Sequence, residues 1–210
     1  MLPKILLSLL FVILGMIMGI PIKRYVLSKV CFSCRAPVIP VLDGGVYLLV
    51  FLNKGFCVEA GIGCLLASVL LALSVIDCYS YEIPIECNYL IGLLGVINLL
   101  LNRHRFLEYI IGAVVISGLL LAIYIFSEGR AVGGGDVKLM AASGLMLGWK
   151  SVILAFIIAC IGVTMVHPLR MKIQGEKSQL AFGPYLAAGS MIAWLWGEQM
   201  IHLYLTWCGY

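Results

Sequence analysis

Apolar runs long enough to cross a lipid bilayer recur along this chain, with only short polar breaks between them. A hydrocarbon core about 30 Å thick takes about 20 helical residues to cross, and it satisfies no exposed backbone polar group. Hydrophobic residues make up 63% of the sequence and charged residues 11%, and the mean hydropathy is +1.10. These values lie outside the range of soluble domains. The sequence therefore predicts an all-α, polytopic helix bundle embedded in the lipid bilayer.

The runs predict about eight transmembrane helices, within a range of six to eight. Pro40, Asp43 and the Gly44-Gly45 pair interrupt the second run, and the sixth is shorter than a full crossing. The remaining residues are too few for a separate soluble domain, so residues 1–210 are predicted to form a single integral membrane domain. The predicted spans lie near residues 3–22, 37–53, 57–76, 84–101, 107–126, 136–148, 151–167 and 182–205.

The positions of Lys and Arg predict the orientation, because these residues collect on the cytoplasmic side of short loops. If the short loop at 23–36 is cytoplasmic, nine of the 14 Lys and Arg residues fall on that side and five on the other. The loops at 77–84, 127–136 and 168–181 then open on the same face. We predict a multi-pass protein of the inner (plasma) membrane with both termini outside.

Two further observations exclude other classes of protein. The net charge is +4, but the basic residues are scattered over loops instead of forming one surface, so no nucleic acid is expected as a partner. The apolar N-terminal run is followed by no cleavage site of the A-x-A kind, and it is interpreted as a retained first span.

Two of the ten acidic residues stand apart from the others. Asp77 closes the apolar run CLLASVLLALSVID and is followed by a short loop ending at Pro84, whereas Asp136 follows three consecutive glycines in AVGGGDVK. An acidic side chain at membrane depth is costly, so it is usually paired, faces water or is functional. Most of the other acids are predicted to lie in loops or at span entrances, where water reaches them.

The predicted topology brings Asp77 and Asp136 to the same membrane face, which suggests a shared site. A pair of carboxyl groups can activate a water molecule, since the ionised member accepts a proton from it while the protonated member polarises a substrate carbonyl. That is the chemistry of aspartic peptidases. The glycines before Asp136 would let an extended substrate backbone approach and would allow positive φ angles.

Simpler interpretations stay open for each residue. Asp136 could be the N-cap of a helix that starts at Val137, with the glycines as a hinge. Asp77 could pair with a cation such as Lys138. The small residues around Ala141 and Gly144 either admit a substrate helix or pack the protein's own helices.

Three motifs resemble, in their order, those of the type IV prepilin peptidases, which belong to the GxGD class of intramembrane aspartic proteases. The first is IDCYSYEIP, which contains Asp77. The second is GGGDVKLMAASGLMLG, which contains Gly133-x-Gly135-Asp136. The third is AFGPYLAAG at residues 181–189, and the resemblance covers essentially the whole chain.

The resemblance implies a membrane aspartic endopeptidase that removes the short basic leader of prepilins or pseudopilins at the cytoplasmic face. Asp77 and Asp136 carry over as the catalytic pair. The peptidase reaction needs no cofactor, and S-adenosylmethionine is expected only if the chain also methylates the new N-terminus.

The cysteines depart from the family pattern. Bifunctional members resemble one another in two C-x-x-C pairs that bind zinc, whereas this chain has a single CFSC, formed by Cys31 and Cys34. A closed zinc site needs four ligands, and Cys57 and Cys64 are spaced differently and are predicted on the other face. We expect free thiols and no metal here, which leaves methyltransferase activity open.

The main alternative function is a proton-coupled transporter in which Asp77 and Asp136 are protonation sites. No repeat with matching broken helices is visible, and the two acids cluster near one face. A related GxGD protease that acts on archaellin precursors or other membrane helices stays open as well. Serine-type proteolysis is not supported, because no G-x-S-x-G is present and His167 and His202 are interpreted as structural.

Overall fold

The fold is known from a computed structural model, which describes residues 2–30, 38–174 and 180–209. Eight α-helices and one 3-10 turn, at Arg103–Arg105, account for the regular structure, and no strand occurs in these ranges. The predicted all-α bundle is therefore confirmed. The helices are α1 Leu2–Lys29, α2 Val38–Lys54, α3 Val58–Ser80, α4 Ile85–Leu101, α5 Phe106–Phe126, α6 Gly134–Leu147, α7 Trp149–Gln174 and α8 Gly183–Trp207.

The outside of the bundle is apolar over much of its length. Four helical segments are long and apolar enough to cross a membrane, and Ile85–Leu101 is a shorter apolar helix. Leu6, Leu107 and Val114 are exposed by 72%, 69% and 63%, as expected of side chains that face lipid instead of water. The chain is a multi-pass membrane protein. The four segments are Lys4–Lys29, Val58–Ser80, Arg103–Phe126 and Trp149–Val166.

Several helices extend beyond their predicted ends. The loop predicted at 23–36 is helical up to Lys29, because Val26 and Val30 pack into a cluster with Ile76 of α3 and so continue the helix past Pro21. Helix α7 likewise contains Pro168 and continues to Gln174, where a loop was predicted. Hydrophobic packing therefore overrides the weak breaker signal of Pro21 in α1.

The second helix is continuous despite its proline and glycines. A Cβ on Gly15 of α1 would lie 2.7 Å from the Gly44 Cα, and a Cβ on Gly44 would lie 3.0 Å from the Met16 side chain. Gly19 in turn packs directly on Pro40. Gly44, which looked like an interruption, lies in a close contact between α1 and α2, of the kind that small residues provide in membrane bundles, whereas a Cβ on Gly45 would meet nothing within 4 Å.

The burial of Asp43 is the largest difference between the structure and what the sequence predicts. The sequence does not set it apart from acids near water, yet its side chain is fully buried between α2 and α3. The Ser68 hydroxyl lies 3.0 and 2.9 Å from its two carboxyl oxygens, and the Tyr47 hydroxyl lies 3.0 Å from Ser68 Oγ. This network joins the two helices deep inside the bundle.

Replacing Ser68 by Ala is expected to destabilise the protein by about 1–3 kcal/mol, because it leaves a buried carboxyl group without its hydroxyl partner. The measurement is the thermal unfolding midpoint of the detergent-solubilised protein. Ser74→Ala is the matched control, since the Ser74 hydroxyl bonds only to the Leu70 carbonyl of the same helix. Equal midpoints for the two variants would show that the Asp43 network adds nothing to stability.

Helices α3 and α6 form the interior of the bundle. Helix α3 packs on α1, α2, α4 and α8, while α6 packs on α4, α5, α7 and α8. A Cβ on Gly112 of α5 would lie 2.6 Å from the Gly144 carbonyl oxygen, so α5 and α6 touch backbone to backbone. These contacts favour the interpretation that the small residues of α6 pack the protein's own helices.

Candidate active site

The two predicted site residues line one cavity. Asp77 lies three residues before the end of α3 and Asp136 is the third residue of α6, and their side chains are exposed by only 4% and 9%. The cavity has a volume of about 310 Å³. We call this end of the bundle the aspartate end. The remaining lining residues are Tyr81, Glu82, Ile83, Gly133, Gly134 and Gly135.

The C-terminal end of α3 forms the part of the cavity wall next to Asp77. Helix α3 ends at Ser80, and Tyr81 follows in the left-handed conformation with φ of 55°. The Tyr81 N–H donates to the Asp77 carbonyl at 3.0 Å, which closes the helix in an αL cap. The chain then turns back over the cavity through Ile83 and enters α4 at Pro84.

The glycines before Asp136 lie at the start of α6. The helix begins at Gly134 with Gly133 as its N-cap, so the interpretation of Asp136 as an N-cap is wrong. None of the three has positive φ, which corrects that expectation as well. A Cβ on Gly133 would lie 3.1 Å from Asp136 Oδ2, and one on Gly135 would lie 3.0 Å from the Ile83 Cβ. Because Gly133 and Gly135 have no side chains, the start of α6 fits against the Asp136 carboxyl group and against the loop that contains Ile83.

The third motif reaches the site through its backbone. The Gly183 N–H donates to Asp77 Oδ2 at 2.9 Å, at the point where α8 begins, followed by Pro184. A Cβ on Gly183 would lie 2.7 Å from the same oxygen. The motif itself was recognised in the sequence, but its contact with Asp77 was not predicted, since the two residues are 106 positions apart.

No cation neutralises either aspartate within the described ranges. The ion pairs found there join other residues, and Lys138 is exposed. The predicted alternative that Asp77 pairs with Lys138 is therefore wrong.

Nearby, the Lys29 ammonium contacts Glu86 at 2.8 Å and connects the end of α1 to the start of α4. His202 is exposed near the opposite end of α8, and the side chain of His167 lies outside the described residues.

The described residues do not supply the ligands of a zinc site. Cys31 and Cys34 lie outside these residues, while Cys57 and Cys64 are at the start of α3, at the end opposite Asp77. No group of three or more His, Cys, Asp or Glu side chains comes together in the part of the chain that is described.

The arrangement has the parts that acid–base chemistry on an amide requires. Two buried carboxyl groups that come close together can share a single proton. One N–H group fixes the orientation of Asp77, and the cavity has room for water and a peptide backbone. Such a pair can activate a water and protonate a carbonyl oxygen.

Comparison with known proteins identifies the family. The model of the type IV leader peptidase family matches residues 64–167, which include both aspartates. A prepilin leader peptidase/N-methyltransferase of Pseudomonas aeruginosa is 30% identical over 212 residues, covering 91% of this chain and 71% of the relative. Proteins with the same description from Escherichia coli and Legionella pneumophila are 30% identical over 156 residues and 27% identical over 183.

The chain spans 69% of the length of the Escherichia coli relative. It spans 63% of the length of the Legionella relative, which is less than two thirds. These alignments cover 65% and 83% of the chain itself. No solved structure matches it. The family model together with the Pseudomonas relative leads to one conclusion: the chain belongs to the type IV leader peptidase family.

Proposed function

We propose that the chain is a membrane-embedded aspartic endopeptidase that removes the leader of type IV prepilins or pseudopilins at the cytoplasmic face of the inner membrane. The observation that carries the proposal is the shared cavity of Asp77 and Asp136 at one end of the bundle, with the Gly183 N–H on Asp77. The family relatives, whose descriptions name this activity, support it.

In the proposed reaction the carboxyl pair begins with one proton. The ionised member takes a proton from a water molecule, whose oxygen attacks the scissile carbonyl carbon, while the protonated member gives its proton to the carbonyl oxygen. The C–N bond of the tetrahedral intermediate then breaks as one carboxyl group gives its proton to the leaving amine and the other takes a proton from a hydroxyl group of the intermediate. The products are the leader with a new carboxyl terminus and the mature protein with a new amino terminus, and the pair is restored.

The geometry gives each residue a task in this scheme. The Gly183 N–H holds one oxygen of Asp77, so that the other is free to face the cavity. Gly133 and Gly135 leave the entrance of α6 without side chains, beside the loop that contains Ile83. An extended peptide could therefore approach Asp136 over Gly133, whereas the space at Gly135 is filled by Ile83.

The proposal routes no step through zinc or S-adenosylmethionine. The described residues supply no four-ligand metal site, and none of them is assigned to a methyl donor. S-adenosylmethionine would enter only if the chain also methylates the new N-terminus. Mass measurement of the mature N-terminus tests this directly, because methylation adds one methyl group after cleavage.

The deciding experiment reconstitutes the full chain in liposomes with a panel of prepilins and one archaellin precursor, with a pH-sensitive dye inside. Cleavage at the leader junction of a prepilin, read by mass spectrometry, without proton flux supports the proposal. Proton flux without cleavage of any substrate would favour the transporter instead. Cleavage of the archaellin precursor alone would move the substrate class to the related GxGD proteases.

A further inference from the structure

A second polar cavity lies at the end of the bundle opposite the aspartates. It has a volume of about 310 Å³ and lies beyond the C-terminus of α6, with Met146 and Leu147 in its wall. Helix α6 has 14 residues, which is about 21 Å of helix and too short for a hydrocarbon core of about 30 Å. The charged and aromatic groups of the cavity are Lys54, Glu59, Arg105, Tyr109, Trp194 and Glu198.

Ion pairs within the wall leave one cation and one acid available. Arg105 is held by Glu108 and Glu198, each at 2.9 Å. Lys54 and Glu59, at the end of α2 and the start of α3, form no ion pair with any described residue. The cavity therefore presents a positive and a negative group from one rim, which suits a ligand that carries both charges.

The aromatic face beside Lys54 is built into the fold. The Lys54 ammonium lies 5.4 Å from the ring centroid of Trp194. The ring is seated against α3 at Gly63, where a Cβ would lie 2.7 Å from Trp194 Cζ2 and closer still to two other ring atoms. An indole face beside a cation, at the ends of membrane helices, is typical of the region where lipid headgroups lie.

Apolar side chains next to the rim face outward. Leu52, Phe56 and Val58 are exposed by 70%, 77% and 69%, and they flank Lys54 and Glu59 in the sequence. Surfaces of this kind, adjacent to a charged cavity at the end of the helices, suit an acyl chain whose headgroup occupies the cavity. A soluble zwitterion would gain nothing from them.

We propose that this cavity binds the headgroup of a phospholipid with a primary ammonium next to its phosphate, the phosphoethanolamine class. Glu59 accepts hydrogen bonds from the ammonium, Lys54 donates to the phosphate, and Trp194 lies beneath them. A quaternary ammonium cannot donate to Glu59, and a headgroup without an ammonium leaves Glu59 unpaired. The site is independent of the peptidase reaction.

The test is a titration of the delipidated full chain in detergent, followed by its thermal unfolding midpoint. Phosphatidylethanolamine is expected to raise the midpoint at about tenfold lower concentration than phosphatidylglycerol or phosphatidylcholine, since each charged hydrogen bond is worth about one such factor. Soluble glycerophosphoethanolamine is the probe for a free zwitterion. If it matches the intact lipid, or if all three lipids act alike, the proposal is overturned.

Glu59→Gln should abolish the preference for phosphatidylethanolamine, a change of about tenfold in half-saturating concentration, whereas Lys54→Gln should weaken the binding of all three lipids by about tenfold, because each of them carries the phosphate. Lys150→Gln is the matched control, because Lys150 lies 5.5 Å from the Trp149 ring centroid at the same end of the bundle but outside the cavity. All three variants should unfold like the parent without lipid. Equal weakening of lipid binding in the Lys54 and Lys150 variants would reject the site, as would a preference for phosphatidylethanolamine that survives Glu59→Gln.

Discussion

Asp77→Asn and Asp136→Asn are each expected to lower leader removal by at least about 10²–10⁴-fold, the range that a positioned acid or base contributes. The amide of Asn keeps the shape of the side chain but can neither take a proton from water nor give one to a carbonyl oxygen. The measurement is co-expression with a prepilin, scored by gel shift and followed over time. Either variant that processes the prepilin at a tenth of the normal rate or faster would contradict the proposed mechanism.

Asp43→Asn is the matched control for these two variants. Asp43, on α2, is also a buried aspartate, but it contacts Ser68 and does not line the cavity. The same chemical change there should leave processing within about twofold of normal, as for substitutions outside the acting groups. A loss in all three variants would instead indicate that removal of any buried carboxyl disturbs the bundle.

The double variant separates a shared mechanism from two independent effects. If the two carboxyl groups act as one unit, removing the second after the first costs little more, because groups that act together are not additive. Additive losses would mean that each aspartate contributes alone. Thermal unfolding of each variant checks that the protein still folds.

The sequence predicts best what depends on local patterns. Apolar runs locate all eight helices. Asp77 stands out because it closes an apolar run, and Asp136 stands out because it follows three glycines. Helix ends are less well predicted, since α1 continues to Lys29 through contacts of Val26 with distant residues. Packing between helices is not encoded in any one segment, and it decides where a helix stops.

Contacts between distant segments explain the remaining differences. Asp43 is buried because a serine 25 residues later meets it, and nothing near Asp43 in the sequence shows this. Gly44 interrupts the hydropathy pattern of the second run, although in the fold it packs against Gly15 and brings α1 and α2 together. The same limitation hides the role of Gly183, whose partner lies in another helix.

Gly183→Ala is expected to lower kcat for leader removal by about 10²-fold, because a misplacement of about 1 Å at a reacting group can cost that much. The new Cβ would lie 2.7 Å from Asp77 Oδ2 and 3.0 Å from its Cγ, so the carboxyl group must turn away from the Gly183 N–H and from Asp136. Gly61→Ala in α3 is the control, since a Cβ there meets nothing within 4 Å. A variant with an unchanged kcat and a raised KM would mean that Gly183 serves substrate binding and does not orient Asp77.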